Sequence, residues 1–129
     1  MGVNSKLVLG EHKGTNIKLP LIIFEEGGTI ICYCPALDLS GYGYSEQEAL
    51  DSYKYVVAEY LDHSVEKETL EKDLKRLGWH IAKNLRKNII PPPITKLLED
   101  NSNFKRVFDK FDYKKLSTNV RFPLIPICM

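Results

Sequence analysis

At 129 residues the chain is sized for one domain, large enough to bury a core without disulfide or metal staples. Its 43% hydrophobic and 27% charged residues are ordinary for a globular protein, and a net charge of +1 exerts no global pull towards nucleic acid or an anionic membrane. No apolar run approaches the roughly 18 residues of a membrane span, and residues 1–14 lack the basic-then-apolar pattern of a secretory signal. Of three cysteines, Cys32 and Cys34 would share one face of a strand, a poor geometry for bonding to each other, so reduced thiols and a cytoplasmic setting are expected.

In chain order, residues 6–9 read as a short strand ended by Gly10 and a polar turn. Residues 17–25 read as a longer strand in which Pro20, lacking an N–H, must lie near an edge or a start. Gly27-Gly28 then signals a hairpin into a β-branched and aromatic strand over 29–34, because primed turns need positive φ. After Pro35 a third short strand over 37–44 is expected, its Gly41 and Gly43 marking a bulge or a close backbone approach.

Ser45-Glu46-Gln47-Glu48 is a capping box, in which the serine oxygen accepts from the Glu48 N–H and the Glu48 carboxylate returns to the Ser45 N–H. The helix it opens carries Ala49, Leu50, Tyr53, Val56, Val57, Tyr60 and Leu61 on one stripe, and a break or bend is expected near Asp62-His63-Ser64. A second helix over 65–77 turns Leu70, Leu74 and Leu77 inward and ends at Gly78. Residues 79–82 read as a returning strand, parallel through a right-handed crossover.

Pro91-Pro92-Pro93 marks the main shift in composition. Short helices follow over 94–99 and 104–111, and a last strand over 119–127 is held to an edge by Pro123 and Pro126. The expected class is α+β: a small antiparallel or mixed sheet packed on one face by helices, in ββ(β)αβ order. It divides into a core over 1–90 and a helical extension with an edge strand over 91–129.

Catalytic chemistry finds no pattern. Glu25, Glu26 and Asp38 are the carboxylates to weigh for metal-assisted phosphodiester cleavage, yet Glu25 and Glu26 are adjacent and point to opposite faces of a strand. His12, His63 and His80 have no ligand spacing to one another, and Cys32-x-Cys34 with Cys128 is not a zinc pattern. Gly41-x-Gly43 lacks the third glycine of a nucleotide loop. No catalytic residue, metal or cofactor is expected.

Charge is distributed more unevenly than the total suggests. Residues 45–64 hold Glu46, Glu48, Asp51, Glu59 and Asp62 against Lys54, whereas residues 67–87 hold seven basic residues against three acidic ones. The first set offers an acidic face to a basic partner, with Glu46, Asp51, Glu59 and Asp62 as the candidate contacts. The second offers Lys83, Arg86 and Lys87 to nucleic acid. Ordinary solvated faces with pairs such as Glu68–Lys72 and Glu71–Lys75 are the structural alternative for both.

Taken together, Ile30-Ile31-Cys32-Tyr33-Cys34-Pro35-Ala36-Leu37, the Gly43-Tyr44-Ser45 turn and the Glu48-Ala49-Leu50 helix start resemble the HicB family of antitoxins. The resemblance covers roughly residues 17–82. It implies a pared-down ribonuclease H-like core without catalytic carboxylates, and a non-enzymatic protein that neutralises a small basic RNA-cleaving toxin. Leu39-Ser40-Gly41 stands where the family often has Pro-Gly-Cys. Residues 83–129 match neither the helix-turn-helix nor the ribbon-helix-helix that family antitoxins use on operator DNA, so DNA binding is not expected. Two alternatives remain open: a stand-alone homo-oligomer formed through an edge strand, and an RNA-binding protein using the basic 67–87 region.

Overall fold

The computed structural model describes residues 15–81 and 89–122, so the strand expected at 6–9 lies outside the described residues. The α+β class is as expected. Strands β1 (Thr15–Glu26), β2 (Thr29–Cys34) and β3 (Leu39–Gly43) precede helix α1 (Glu46–Glu66) and helix α2 (Leu70–Arg76). Then come β4 (His80–Ile81), β5 (Ile89–Ile90), α3 (Ile94–Asp100), α4 (Ser102–Lys110) and β6 (Tyr113–Phe122). One sheet runs β3-β2-β1-β6, antiparallel throughout, and β4-β5 forms a separate antiparallel pair.

The hairpin turns on Gly27 (φ 62) and Gly28 (φ 82), the two positive angles a primed turn requires. The connection after α2 differs from the sequence reading. His80–Ile81 does not return to the main sheet but pairs with Ile89–Ile90. β2 covers only residues 22–26 of β1, leaving its first half without a partner on that side, and a two-residue strand cannot form a comparable ladder. β6 instead pairs with β1 over residues 113–122, ending just before Pro123. Residues expected as an extension thus build one edge of the sheet, and Leu97, Phe104, Val107, Val120 and Phe122 share a core with Leu19, Leu21 and Cys32.

Pro20 sits inside β1 for a related reason. The Tyr42 N–H turns away from β2 to Ser52 Oγ (3.1 Å), which sets the alternation of main-chain groups across the ladder. Carried to β1, that alternation aims Leu19, Leu21 and Ile23 at β6, and Ile22 and Phe24 at β2. The missing N–H of Pro20 faces the β2 side beyond Cys34, where β2 has ended. There β1 is locally an edge.

Positions Ile23, Cys32 and Gly41 form one row across the sheet, on the face that receives α1. A Cβ on Gly41 would collide with Tyr53 N and stand 2.5 Å from Ala49 O, and one on Gly43 would collide with Glu48 Cβ and stand 2.8 Å from Ala49 N. The two glycines are there so that the helix main chain can rest directly on the strand. Ala49, Tyr53, Val57, Leu61 and Ser64 line the buried side of α1.

The helix is not broken at Asp62-His63-Ser64 but runs on to Glu66: none of these residues forbids helical φ and ψ, and their lower propensity is a few tenths of a kcal/mol each. The helix stops instead at Lys67, where Glu68 takes φ 58 and the Thr69 N–H donates to Ser64 O (2.8 Å). Helix α2 ends in the same motif with the expected Gly78 at φ 98, the Trp79 N–H donating to Leu74 O (2.9 Å). Tyr60 Oη donates to Asp73 Oδ2 (3.3 Å) and ties the two helices together.

Helices α3 and α4 reach the other face of the sheet. Phe111 packs on Phe24 with ring centroids 5.0 Å apart, and Arg106 pairs with Glu26 (3.4 Å) while lying over the Phe111 ring. No helix among the described residues is long and apolar enough to cross a membrane.

Candidate functional site

The cap of α1 forms with one change of partner. The Glu48 N–H donates to Ser45 Oγ (3.1 Å), but the Glu48 carboxylate accepts from the Tyr44 N–H (2.8 Å) rather than from Ser45. From that start α1 runs 21 residues, and its outward side holds most of the candidate acidic residues.

At 3.6 residues per turn, Glu48, Asp51, Tyr55, Glu59, Asp62 and Glu66 fall within about 80° of one another, directly opposite the buried side. All six are exposed, Tyr55 at 67%. Asp51 accepts from Gln47 Nε2 (2.8 Å), while Glu59, Asp62 and Glu66 form no ion pair among the described residues. Glu46 stands apart from this stripe. It lies on the opposite side of the helix and accepts from Lys114 Nζ of β6 at 3.0 Å. The structure thus gathers Asp51, Glu59 and Asp62, separates Glu46 from them, and adds Glu48, Glu66 and Tyr55. Spacing along a helix running to residue 66 would have revealed these three, but a helix broken near residues 62–64 hides Glu66.

The stripe is costly to its own helix. Glu59 and Asp62 stand at i, i+3 and Asp62 and Glu66 at i, i+4, like-charge spacings that destabilise by a few tenths of a kcal/mol each. Glu66 also closes the end where the helix dipole favours cations.

Lys83, Arg86 and Lys87, the candidate nucleic-acid contacts, lie outside the described residues, as do His12 and Cys128. Glu71–Lys75 closes at 3.1 Å as expected, whereas Glu68 belongs to the turn between helices rather than to an i, i+4 pair.

The segment from Cys34 to Asp38 is an anchored turn. Asp38, at φ 56, donates its N–H to Cys34 O (2.8 Å) and accepts from Tyr33 Oη (2.5 Å). Asn101 Nδ2 donates to the same Tyr33 oxygen (2.8 Å), and Asn101 Oδ1 accepts from the Phe104 N–H (3.0 Å), capping α4. Trp79 Nε1 donates to Ala36 O (2.8 Å). Burial, and then the bond to Asp38, push the Tyr33 hydroxyl pKa upwards. One asparagine therefore locks a loop and starts a helix.

Nucleophilic chemistry is poorly served at the buried thiols. Burial, and then Cys34, raise the Cys32 pKa to about 12, and burial raises that of Cys34, so both remain protonated and weakly reactive near neutral pH. The buried Tyr53 hydroxyl has no hydrogen-bond partner among the described residues, although the Cys34 thiol is its electrostatic neighbour. Of the weighed carboxylates, Glu26 pairs with Arg106 and Asp38 with Tyr33, while exposed Glu25 points to the α1 face. Among the described residues no three His, Cys, Asp or Glu side chains gather to hold a metal ion. A scan of protein-family models, a search of curated proteins and a search of solved structures each found no match to this chain.

Proposed function

We propose that this chain is a non-enzymatic, HicB-like binding module that neutralises a small basic RNA-cleaving protein by covering the surface on which that protein acts. The carrying observation is the stripe of Asp51, Tyr55, Glu59, Asp62 and Glu66, which weakens its own helix and faces away from the core. A surface kept against the interest of stability suits a role in recognition. Four carboxylates around an exposed tyrosine match a partner rich in arginine and lysine, steering encounter by charge and offering an aromatic anchor. A stable complex of this kind would bury on the order of 1,600 Å².

The test is co-purification with the products of small, basic reading frames adjoining this one, followed by binding kinetics. Asp62→Lys should raise the unfolding free energy by a few tenths of a kcal/mol while slowing association at least tenfold at low salt. An Asp62→Lys chain that binds as fast as the parent, or the absence of any such complex, refutes the reading.

A further inference from the structure

The two edges of the four-stranded sheet differ in how they meet solvent. β3 has five residues, carries two glycines under α1, and gives its outward Tyr42 N–H to Ser52 Oγ. β6 has ten residues and no proline, and among the described residues no strand lies on its outer side. The alternation that turns Leu116, Thr118 and Val120 towards β1 turns the main-chain groups of Tyr113, Lys115, Ser117, Asn119 and Arg121 outward. Those five side chains lie on the sheet face opposite α1, and Lys115, Ser117, Asn119 and Arg121 are exposed. Such an edge is a template for another strand.

We propose that a second copy of this chain occupies this edge, pairing antiparallel with β6 about a two-fold axis through Ser117. The two four-stranded sheets then become one of eight strands. In this register Ser117 faces its own copy, Lys115 faces Asn119, and Tyr113 faces Arg121, all from residues whose main-chain groups already point outward. The pairing forms about ten main-chain hydrogen bonds. Charge and length select the register. Moving the axis to Thr118 sets Lys115 against Arg121 twice, a like-charge pair directly across the strands. Moving it to Leu116 shortens the paired stretch. The axis at Ser117 keeps the full overlap, opposes no like charges and places each Arg121 beside a tyrosine ring. Lys114, the remaining cation of β6, is paired with Glu46 on the other face. The inference does not depend on the proposed function, since it uses a different surface.

Light scattering of the full chain at about 100 µM should give twice the chain mass. Ser117→Lys, which opposes two lysines across the axis at an exposed position, should raise the dissociation constant at least tenfold, with a thermal midpoint equal to the parent's at dilutions where both chains are monomers. In a Cys128→Ser background, Ser117→Cys should cross-link under oxidation, because directly opposed residues have Cα atoms about 5.5 Å apart, within disulfide reach. Asn119→Cys should not, since its two copies stand about 13 Å apart in this register. A monomer at that concentration, a dimer indifferent to Ser117→Lys, or cross-linking at 119 in preference to 117 overturns the proposal.

Discussion

The two faces of the main sheet are held by opposite means. On one, α1 lies so close that the helix main chain touches Gly41 and Gly43, and the contact is made by the absence of side chains. On the other, α3 and α4 stand off and are fastened by particular groups: Asn101 to Tyr33, Phe111 to Phe24, and Arg106 to Glu26. A contact made by removing atoms tolerates no addition. One made by hydrogen bonds and rings weakens in proportion to what is removed, so the two faces should respond differently to substitution.

The largest effect is expected at Gly41. Gly41→Ala places a methyl group on Tyr53 N and forces α1 off the sheet, so it should lower the unfolding free energy by about 3 kcal/mol or more in denaturant titration. Gly28→Ala is the contrasting case. Its Cβ would meet nothing within 4 Å, so only the positive φ opposes it, at a cost of about 1 kcal/mol. Equal losses at the two positions would show that α1 does not rest on Gly41.

On the opposite face, Asn101→Ala uncaps α4 and deprives the Tyr33 hydroxyl of a donor, for a loss of about 1–3 kcal/mol. Asn101→Asp should recover the cap but not the donation to Tyr33, and a variant as stable as the parent would dissociate this residue from the anchored turn.

Alkaline titration reads the α1 face without adding atoms. Cys32 ionises near 9 when unfolded and at about 12 when folded, so its contribution is fully present below pH 9. As pH climbs past 9 the unfolded chain loses its proton first, and stability falls progressively towards pH 12. Thermal midpoints should therefore decline above about pH 9, less steeply in Cys32→Ala. Identical slopes in the two chains would remove Cys32 as a source of the decline.

The smallest effect is a gain. Glu68 ends α1 in the left-handed region where glycine is unstrained, and Glu68→Gly should stabilise by roughly 0.5–1 kcal/mol. A loss of stability would mean that the glutamate side chain contributes more than its backbone strain subtracts.

Legibility followed the range of the interactions. The Gly27-Gly28 hairpin, the Ser45 cap, the buried stripe of α1 and the Gly78 stop were all readable, because each is decided within a few residues. The acidic character of α1 was readable too, since helical periodicity needs only the order of residues. Its limits were not. Propensity alone suggests a break at Asp62, whereas burial of Leu61 and Ser64 carries the helix on through that point to Glu66.

By itself, then, the sequence determined the α+β class, the hairpin, the caps and the apolar and acidic sides of α1. Tertiary structure alone decided that Tyr113–Phe122 rather than His80–Ile81 completes the sheet, that Asn101 reaches back to Tyr33, and that Glu46 leaves the acidic stripe for Lys114. These three outcomes join residues 68 or more positions apart, or strands separated by most of the chain. Pairing over such distances is set by which unsatisfied strand and which buried polar group remain once local structure has formed, and no local pattern encodes that remainder.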